Sequence, residues 1–240
     1  MTRLHVDAPL VAGTRMELPE AAARHVAQVL RMRAGEALTL FNGEGGEYSA
    51  EIETVERRNV LVRIGAKMAV DRDSALSITL AQCVSKGERM DYTIQKAVEL
   101  GITAIVPLLS ARSVVKLDGE RWEKKLEHWR GVVLSACEQS GRTRLPPVMP
   151  VQKFDVWLPS SMDGLRLVLA PTAAVSLKAL PKADSVTLLV GPEGGLSDDE
   201  IRHALRAGYT GITLGPRVLR TETAGVAALA ALQALWGDIG

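Results

Sequence analysis

Two consecutive strand–loop–helix units near the C-terminal end constrain the fold of this chain more than any other feature. The apolar run at residues 186–190 predicts a buried strand that ends at a glycine loop, residues 191–195. A second strand at 212–214 leads through the loop 215–220 into a helix over about Thr221–Trp236. Strands that alternate with helices pair in parallel, so the pattern predicts an α/β fold whose two glycine loops meet at one sheet edge.

The helices that follow these loops have distinct signals. Ser197 and Glu200 have the spacing of a capping box, Leu196 and Ile201 that of a hydrophobic staple, and Gly208 is placed to end the helix. The final helix is rich in alanine and leucine and has almost no polar face. We therefore expect it to be covered on all sides by its own domain, alone or together with a second subunit.

The two loops and their flanks also form a long paired motif. Residues 189–197 read Leu-Val-Gly-Pro-Glu-Gly-Gly-Leu-Ser, and residues 214–224 read Leu-Gly-Pro-Arg-Val-Leu-Arg-Thr-Glu-Thr-Ala. This pair resembles the signature of the ribosomal RNA small subunit methyltransferase E family, which belongs to the SPOUT methyltransferases. Residues 86–101 and 138–144 resemble further segments of that family.

The resemblance implies an activity and an architecture. The activity is S-adenosylmethionine-dependent methylation of N3 of one uridine near the 3′ end of 16S ribosomal RNA in the small subunit. The architecture is an obligate homodimer whose SPOUT-type C-terminal domain has a parallel sheet and a trefoil knot that holds the cofactor. A small N-terminal PUA-like β-barrel domain would bind RNA.

The domain division predicted from the sequence is 1–72 for the PUA-like domain and 73–240 for the methyltransferase domain. In the first, short strands are expected near 4–6, 15–18, 37–41, 47–55 and 59–64, with one helix at 19–30. The second continues with strands at 76–84, 104–108 and 165–170. Helices are expected at 90–100, at Gly119–Ser140 and, briefly, at 176–180, with residues 147–161 as loop.

Composition excludes several classes of protein. The chain of 240 residues has a formal charge of only +1, so a nucleic-acid partner requires local basic patches. No run is apolar enough to cross a bilayer and no signal peptide is evident, so we expect a soluble cytoplasmic protein. Nucleotide-binding motifs of the Walker and dinucleotide types are absent. Cys83 and Cys137 are expected as buried thiols, and the scattered histidines predict no metal site: His5, His25, His128 and His203.

The cofactor site is implied by the resemblance and lies around the two loops and the preceding strand. The residues that would enclose S-adenosylmethionine are Leu169, Gly191, Gly195, Leu214, Gly215 and Leu219. Methylation of uridine N3 also requires loss of a proton and stabilisation of the resulting anion. We hypothesise that Arg220 stabilises the anion, while Glu193 or Glu222 accepts the proton or fixes Arg220. The alternatives are that Glu222 only offsets the helix dipole and that Glu193 only bridges subunits.

Eight residues are candidates for RNA contact. Arg24, His25, Arg31 and Arg33 match a segment found in the family's RNA-binding domain; without that match a solvated helix edge is favoured. Lys86 and Arg89 follow a strand's carboxyl end, and the alternative for them is a helix-flanking salt bridge. The last two candidates are Arg142 and Arg144. Family members often have an acidic residue where Ser135 or Cys137 stands in this chain, so that region has no assigned catalytic role.

Two other functions remain compatible with these residues. One is a SPOUT methyltransferase that modifies a different RNA atom, such as a ribose 2′-hydroxyl. The other is a non-catalytic RNA-binding assembly factor that keeps the fold but not the activity. The 217–223 loop and the N-terminal domain argue against the first, and the intact glycine loops argue against the second.

Overall fold

The fold is given by a computed structural model that describes residues 2–56, 59–115, 117–158 and 164–240. The chain divides into two compact units. The first contains Met1–Asp73 and Cys137–Leu145, and the second contains Ser74–Ala136 and Pro146–Gly240.

A five-stranded sheet forms the first unit. Its strands are β1 (Arg3–His5), β2 (Arg15–Glu17), β3 (Ala37–Phe41), β4 (Glu47–Glu56) and β5 (Asn59–Met68), in the order β1-β3-β4-β5-β2. β1 pairs with β3 in parallel, and the other pairings are antiparallel. Leu38, Leu40, Ile52, Val62 and Ile64 are buried in one apolar core. All five strands lie where alternating apolar residues predicted them, and closure of the sheet into a barrel stays a prediction.

The predicted helix at 19–30 differs from the observed one in geometry. Helix α1 (Glu20–Arg24) passes directly into a π-helical turn, His25–Val29, in which Leu30 N donates to His25 O at 2.9 Å. Arg31 then takes a φ of 53°, which is rare for a residue with a side chain. The wider turn leaves Val29 65% exposed and Leu30 38% exposed. Such turns often occur at functional sites.

The second unit is built on a seven-stranded sheet in which every pairing is parallel. Its order is β10-β12-β9-β11-β6-β7-β8. The strands are β6 (Ser77–Cys83), β7 (Ala104–Leu109), β8 (Gln152–Lys153), β9 (Leu165–Leu169), β10 (Val175–Ser176), β11 (Ser185–Val190) and β12 (Thr210–Thr213). The α/β class predicted from the sequence is therefore confirmed. This order also makes β12, β9 and β11 neighbours, so their carboxyl ends lie side by side.

Helices flank this sheet. They are α2 (Glu88–Glu99), α3 (Gly119–Ser140), α4 (Phe154–Trp157), α5 (Asp198–Arg206) and α6 (Thr221–Trp236), with a 3₁₀ turn at Leu177–Ala179. Trp129 is fully buried, as its place in the apolar stripe of α3 predicted. Strand β8 and helix α4 occupy part of the expected loop 147–161, whose last three residues lie outside the described ranges. Within the described residues, no helix has the length and apolarity needed to span a membrane.

Residues 137–145 pack in the first unit, whereas the sequence-based division places them in the second domain. His5 N donates to Glu138 Oε1 at 3.0 Å, and Arg72 Nη1 donates to Gly141 O at 2.8 Å. These contacts join positions far apart in sequence, so local patterns carry no signal for them. The boundary at residue 72 itself stays a prediction.

Candidate active site

A cavity of about 610 Å³ lies in the second unit at the carboxyl ends of β9, β11 and β12. Its walls come from the segment after β9, the glycine loop after β11, and the loop that joins β12 to α6. Carboxyl ends of parallel strands are where α/β folds bind ligands, and this volume suits a cofactor-sized molecule. The parallel order of the sheet therefore creates the cavity.

Glycines shape two of the cavity walls. A Cβ at Gly191 would lie 2.8 Å from the backbone nitrogen of Leu196, so only glycine allows the loop to turn this tightly. Gly195 and Gly215 have φ values of 69° and 95°, a region that side chains disfavour. Backbone groups rather than side chains therefore form these surfaces, and a flat ligand can approach them closely.

The cavity contains every residue that the sequence analysis assigned to cofactor binding or catalysis. These are Leu169, Gly191, Glu193, Gly195, Leu214, Gly215, Leu219, Arg220 and Glu222. Arg89, predicted as an RNA contact, lines the same cavity. Two loops separated by about twenty residues thus meet at one place, which is the condition that the predicted roles require.

Arg89 joins the two candidate catalytic carboxylates. Its Nη1 lies 2.9 Å from Glu193 Oε1, and its Nε lies 3.7 Å from Glu222 Oε1. The backbone nitrogen of Lys86 also donates to Glu193 Oε1, at 2.7 Å. Glu222 Oε2 is buried and has no hydrogen-bond partner among the described residues. The two carboxylates are therefore unequal, since Glu193 accepts from both Lys86 and Arg89 whereas Glu222 keeps an oxygen with no partner among the described residues.

The electrostatics of Glu193 follow from these donors. Burial alone would raise the pKa of its carboxyl group. The backbone N–H groups of Glu193 itself and of Lys86, together with the Arg89 guanidinium, outweigh burial and hold the pKa below its usual value. Glu193 is consequently a poor proton acceptor and a good anchor for Arg89.

Arg220 does not have the partner that the sequence-based hypothesis gave it. Neither Glu193 nor Glu222 pairs with Arg220 among the described residues, because both pair with Arg89. The idea that a carboxylate fixes Arg220 is therefore wrong for this arrangement. Arg220 precedes the first residue of α6, is exposed, and lines the cavity with no ion pair in the described part of the chain.

Arg112 is a cavity residue that the sequence analysis missed. Its Nη1 donates to Gly194 O at 2.8 Å and approaches Leu196 O at 3.4 Å, so it braces the first glycine loop. The adjacent Ala111 N donates to Glu200 Oε1 at 2.7 Å, next to the capping box of α5. The available signal was the position of Arg112 just after the carboxyl end of β7.

The first unit presents basic residues around the π-helical turn. Arg24, Arg31 and Arg33 are exposed, His25 is half-buried, and Arg24 has only a loose contact of 3.9 Å with Glu20. The exposed Val29 and Leu30 lie in the same segment. We call residues 24, 25, 29, 30, 31 and 33 the basic turn. Its charges are available for phosphate, and its apolar residues for bases.

The two remaining arginine candidates have different surroundings. Arg142 is 5% exposed, and its Nε and Nη2 lie 2.8 and 2.7 Å from Asp73 Oδ1. A buried guanidinium that is paired with Asp73 is not presented to phosphate, so the prediction that Arg142 contacts RNA is wrong for this structure. Arg144 is more exposed, with its Nε 3.6 Å from Asp73 Oδ2. Lys86 is exposed beside the cavity residue Arg89.

Cysteines and histidines take no visible part in this site. Burial raises the pKa of Cys83 to about 12 and that of Cys137 to about 11, so both thiols stay protonated. His128 pairs with Asp91 at 2.7 Å, away from the cavity lining. Among the residues that the structure describes, no group of His, Cys, Asp or Glu is arranged to hold a metal ion.

Comparison with known proteins identifies the family. An RNA methyltransferase domain family matches residues 72–233, and an RNA methyltransferase PUA domain family matches residues 18–65. The ribosomal RNA small subunit methyltransferase E of Buchnera aphidicola from Schizaphis graminum is 34% identical over 239 residues, covering 99% of this chain and 97% of the relative. The chain belongs to the ribosomal RNA small subunit methyltransferase E family. The Bacillus subtilis methyltransferase E is 33% identical over 218 residues, which cover 87% of this chain and 85% of that relative.

Solved structures agree with this membership of the methyltransferase E family. A putative methyltransferase from Legionella pneumophila, in complex with S-adenosylmethionine, superposes with a TM-score of 0.97 and 43% identity over 99% of both chains. A methyltransferase E from Neisseria gonorrhoeae, bound to S-adenosylmethionine, superposes with a TM-score of 0.93 and 40% identity over the whole of both chains. The cavity described above fits such a cofactor, with glycine backbone on two sides and apolar Leu169 and Ile212 among its lining residues.

Proposed function

We propose that this protein transfers a methyl group from S-adenosylmethionine to N3 of a uridine in the ribosomal RNA of the small subunit. The observation that carries the proposal is the single cavity in which two glycine loops meet Arg89, Glu193 and Glu222. Glycine backbone suits the cofactor, and a carboxylate with a free oxygen suits removal of a proton. The family membership and the cofactor bound in its solved relatives support the same reaction.

Each residue has a separate role in the proposed reaction. Bound S-adenosylmethionine supplies an electrophilic methyl group on its sulfonium. Glu222 accepts the uridine N3 proton, because its carboxylate has only the 3.7 Å contact with Arg89 among the described residues and is not committed to several donors as Glu193 is. The N3 electron pair then forms the new bond to carbon while the carbon–sulfur bond breaks. Glu193 does not take the proton, because its lowered pKa and its donors commit it to Arg89.

Positive charge is needed where the uridine anion develops. Arg220 lines the cavity and is exposed, with no ion pair among the described residues, so its guanidinium is available to O2 or O4 of the base. Fixed donors aimed at developing charge are usually a large source of rate enhancement. The target base must be unstacked to expose N3, so we expect an unpaired or distorted RNA site.

Finer features of the family belong to the same proposal. We infer a trefoil knot around the cavity, supported by the strand order β12-β9-β11-β6 and by the two loops that share the cofactor site. A homodimer is supported by α6, whose Leu235 remains 41% exposed. The basic turn, with Lys86 and Arg144, would contact ribosomal RNA, and the protein would act in the cytoplasm.

The test uses purified protein, labelled S-adenosylmethionine, and small subunits from a strain that lacks this protein. Nucleosides from the RNA are then separated by mass spectrometry. We expect label in 3-methyluridine, and Glu222→Gln should lower kcat about 10²–10⁴-fold, the usual contribution of a positioned base. Its dissociation constant for S-adenosylmethionine, measured by calorimetry, should stay near that of wild type.

Asp198→Asn is the matched control, because Asp198 is a further carboxylate that lines the cavity and, unlike Glu222, is exposed. It should leave kcat near the wild-type value. Label in any other nucleoside would refute uridine N3 as the target. Full turnover by Glu222→Gln would refute Glu222 as the proton acceptor.

A further inference from the structure

A buried glutamine lies behind the cavity and is not part of its lining. Gln82 is on β6, one of the central strands of the parallel sheet, and is 0% exposed. Its Nε2 lies 3.0 Å from Cys83 O, 3.1 Å from Thr221 Oγ1 and 3.4 Å from Gly191 O. Strand β6 is otherwise apolar at its buried end, so this amide needs an explanation beyond packing.

The hydrogen-bond directions in this group are fixed by its chemistry. Three oxygens surround one terminal atom of the amide, so that atom must be the nitrogen, which donates. Thr221 Oγ1 accepts from Gln82 and donates its own hydrogen to Gly191 O at 2.6 Å. The result is a directed chain from Gln82 through Thr221 to Gly191, which we call the Gln82 clamp.

The clamp connects the two walls of the cavity. Gly191 opens the first glycine loop, and Thr221 is the first residue of α6, directly after the second loop. Thr221 also lies between Arg220 and Glu222, the two residues that the proposed chemistry assigns to the anion and the proton. The position of Thr221 therefore fixes the backbone from which the side chains of Arg220 and Glu222 extend.

Gln82 is retained at an energetic cost. Its Oε1 is buried with no hydrogen-bond partner among the described residues, and such atoms destabilise a fold. A Cβ at Gly225 of α6 would approach this oxygen to 3.4 Å. An apolar side chain of similar length would fill the position without the unpaired oxygen. The amide is therefore placed for its hydrogen bonds to Cys83, Thr221 and Gly191 rather than for packing.

We propose that Gln82 is a positioning residue, which acts through Thr221 to hold the two glycine loops at the separation that S-adenosylmethionine requires. The cofactor-binding part of this inference concerns the loops alone, whereas its effect on turnover rests on the proposed function. Gln82 itself touches neither cofactor nor uridine. Loss of the clamp should therefore weaken cofactor binding while the fold persists.

Calorimetric binding of S-adenosylmethionine to the full-length protein tests the clamp. Gln82→Met removes the amide at similar length, and Thr221→Val removes the hydroxyl at similar shape. Each should raise the dissociation constant about tenfold, the value of one lost hydrogen bond. The double variant should also be only about tenfold weaker, because either change breaks the same chain. Thr221→Ser, which keeps the hydroxyl, should bind nearly as wild type.

The control is Thr103→Val, which removes a threonine hydroxyl that also bonds to β6. That hydroxyl donates to Ile78 O at 2.9 Å, at the other end of the strand from Gln82, and Thr103 does not line the cavity. Its affinity for S-adenosylmethionine should not change. Gln82→Leu is a second variant that removes the amide, and it should raise the dissociation constant for S-adenosylmethionine as Gln82→Met does.

Three results would overturn the proposal. The first is wild-type affinity in the Gln82 variants, and the second is an additive, roughly hundredfold loss in the double variant. The third is failure of both Gln82 variants to fold, judged by circular dichroism, which would make Gln82 a stability residue. Failure of the proposed methyl transfer would be distinguishable, because it would leave these binding results unchanged.

Discussion

Single residues at the cavity have unequal roles even where their chemistry is the same. Glu193 and Glu222 both contact Arg89, but only Glu193 also accepts a backbone N–H from Lys86. A carboxylate with several donors is stabilised in its charged form, whereas one with a free oxygen can receive a proton. In the proposed mechanism the local donor count, rather than the residue type, therefore separates anchor from acceptor.

Glu193 should contribute stability that depends on pH. Its folded-state pKa lies below the ordinary value of 4.5. The contribution is then fully present above pH 4.5 and is lost as the pH falls through the lower, folded-state value. Glu193→Gln should lower the free energy of unfolding by roughly 1 kcal/mol at pH 7, and by less near pH 3. Urea unfolding at both pH values measures this difference.

Glu127→Gln is the control for that pH dependence, because it removes the same charge from an exposed position on α3. Its effect on unfolding should be small at both pH values. An equal loss of unfolding free energy at pH 7 and pH 3 in Glu193→Gln would contradict this prediction, because the contribution of Glu193 would then not depend on its charge.

The residues of the site were predictable from the sequence, but their partners were not. Glycine loops and their flanking residues lie together in the chain, so the cavity lining could be named in advance. The pairing of Arg89 with Glu193 joins positions over a hundred residues apart. The Gln82 clamp likewise joins β6 to α6, and its only sequence signal was a polar residue within an apolar strand.

Secondary-structure elements were predicted best where both of their ends have a chemical signal. α3 and α6 begin and end at the residues expected from their apolar patterns. α4 has only four residues, too few for a helical period, and it was missed. The π-helical turn was also missed, because one extra residue in a turn leaves the apolar pattern nearly unchanged.

Helix α5 offers a test of local capping beside the cofactor site. Ser197 Oγ accepts from Glu200 N at 3.2 Å, and Glu200 Oε2 accepts from Ser197 N at 2.8 Å. Ser197→Ala removes one half of this capping box and should lower the free energy of unfolding by about 1 kcal/mol. Thermal unfolding of the two proteins without ligand measures the change.

Ser197→Thr is the matched variant, because it keeps the hydroxyl that caps the helix. It should recover most of the stability that Ser197→Ala loses. Equal destabilisation in both variants would mean that the side-chain volume at this position, rather than the cap, determines the stability of α5.

At the scale of the whole molecule, strand order and charge distribution were beyond local sequence patterns. Periodicity locates β9, β11 and β12 but does not specify which strands are neighbours, because parallel pairing depends on contacts between distant segments. The net charge of +1 similarly hides the local concentration of arginines in the basic turn. A nearly neutral protein can bind RNA only where such charges are gathered and left unpaired.

RNA binding through the basic turn should therefore have a measurable dependence on salt. Each phosphate neutralised on a single strand contributes about 0.7 to the slope of log affinity against log salt. Replacing Arg24, Arg31 and Arg33 with glutamine should reduce the slope by about 2 and weaken binding to small-subunit RNA at low salt. The affinity for S-adenosylmethionine should be unchanged, because these residues lie outside the cavity lining.

The control replaces Arg15 and Arg63 with glutamine, which removes exposed arginines from the same unit that already pair with Glu53 at 2.8 Å. Glu53 compensates one of these two charges in the protein, so their loss should change the salt slope less than loss of the three arginines of the basic turn. Fluorescence anisotropy of labelled RNA across a salt series gives both slopes. The same change in slope per arginine removed in both variants would show that net charge alone attracts the RNA, whereas a change confined to the basic turn would locate the binding surface there.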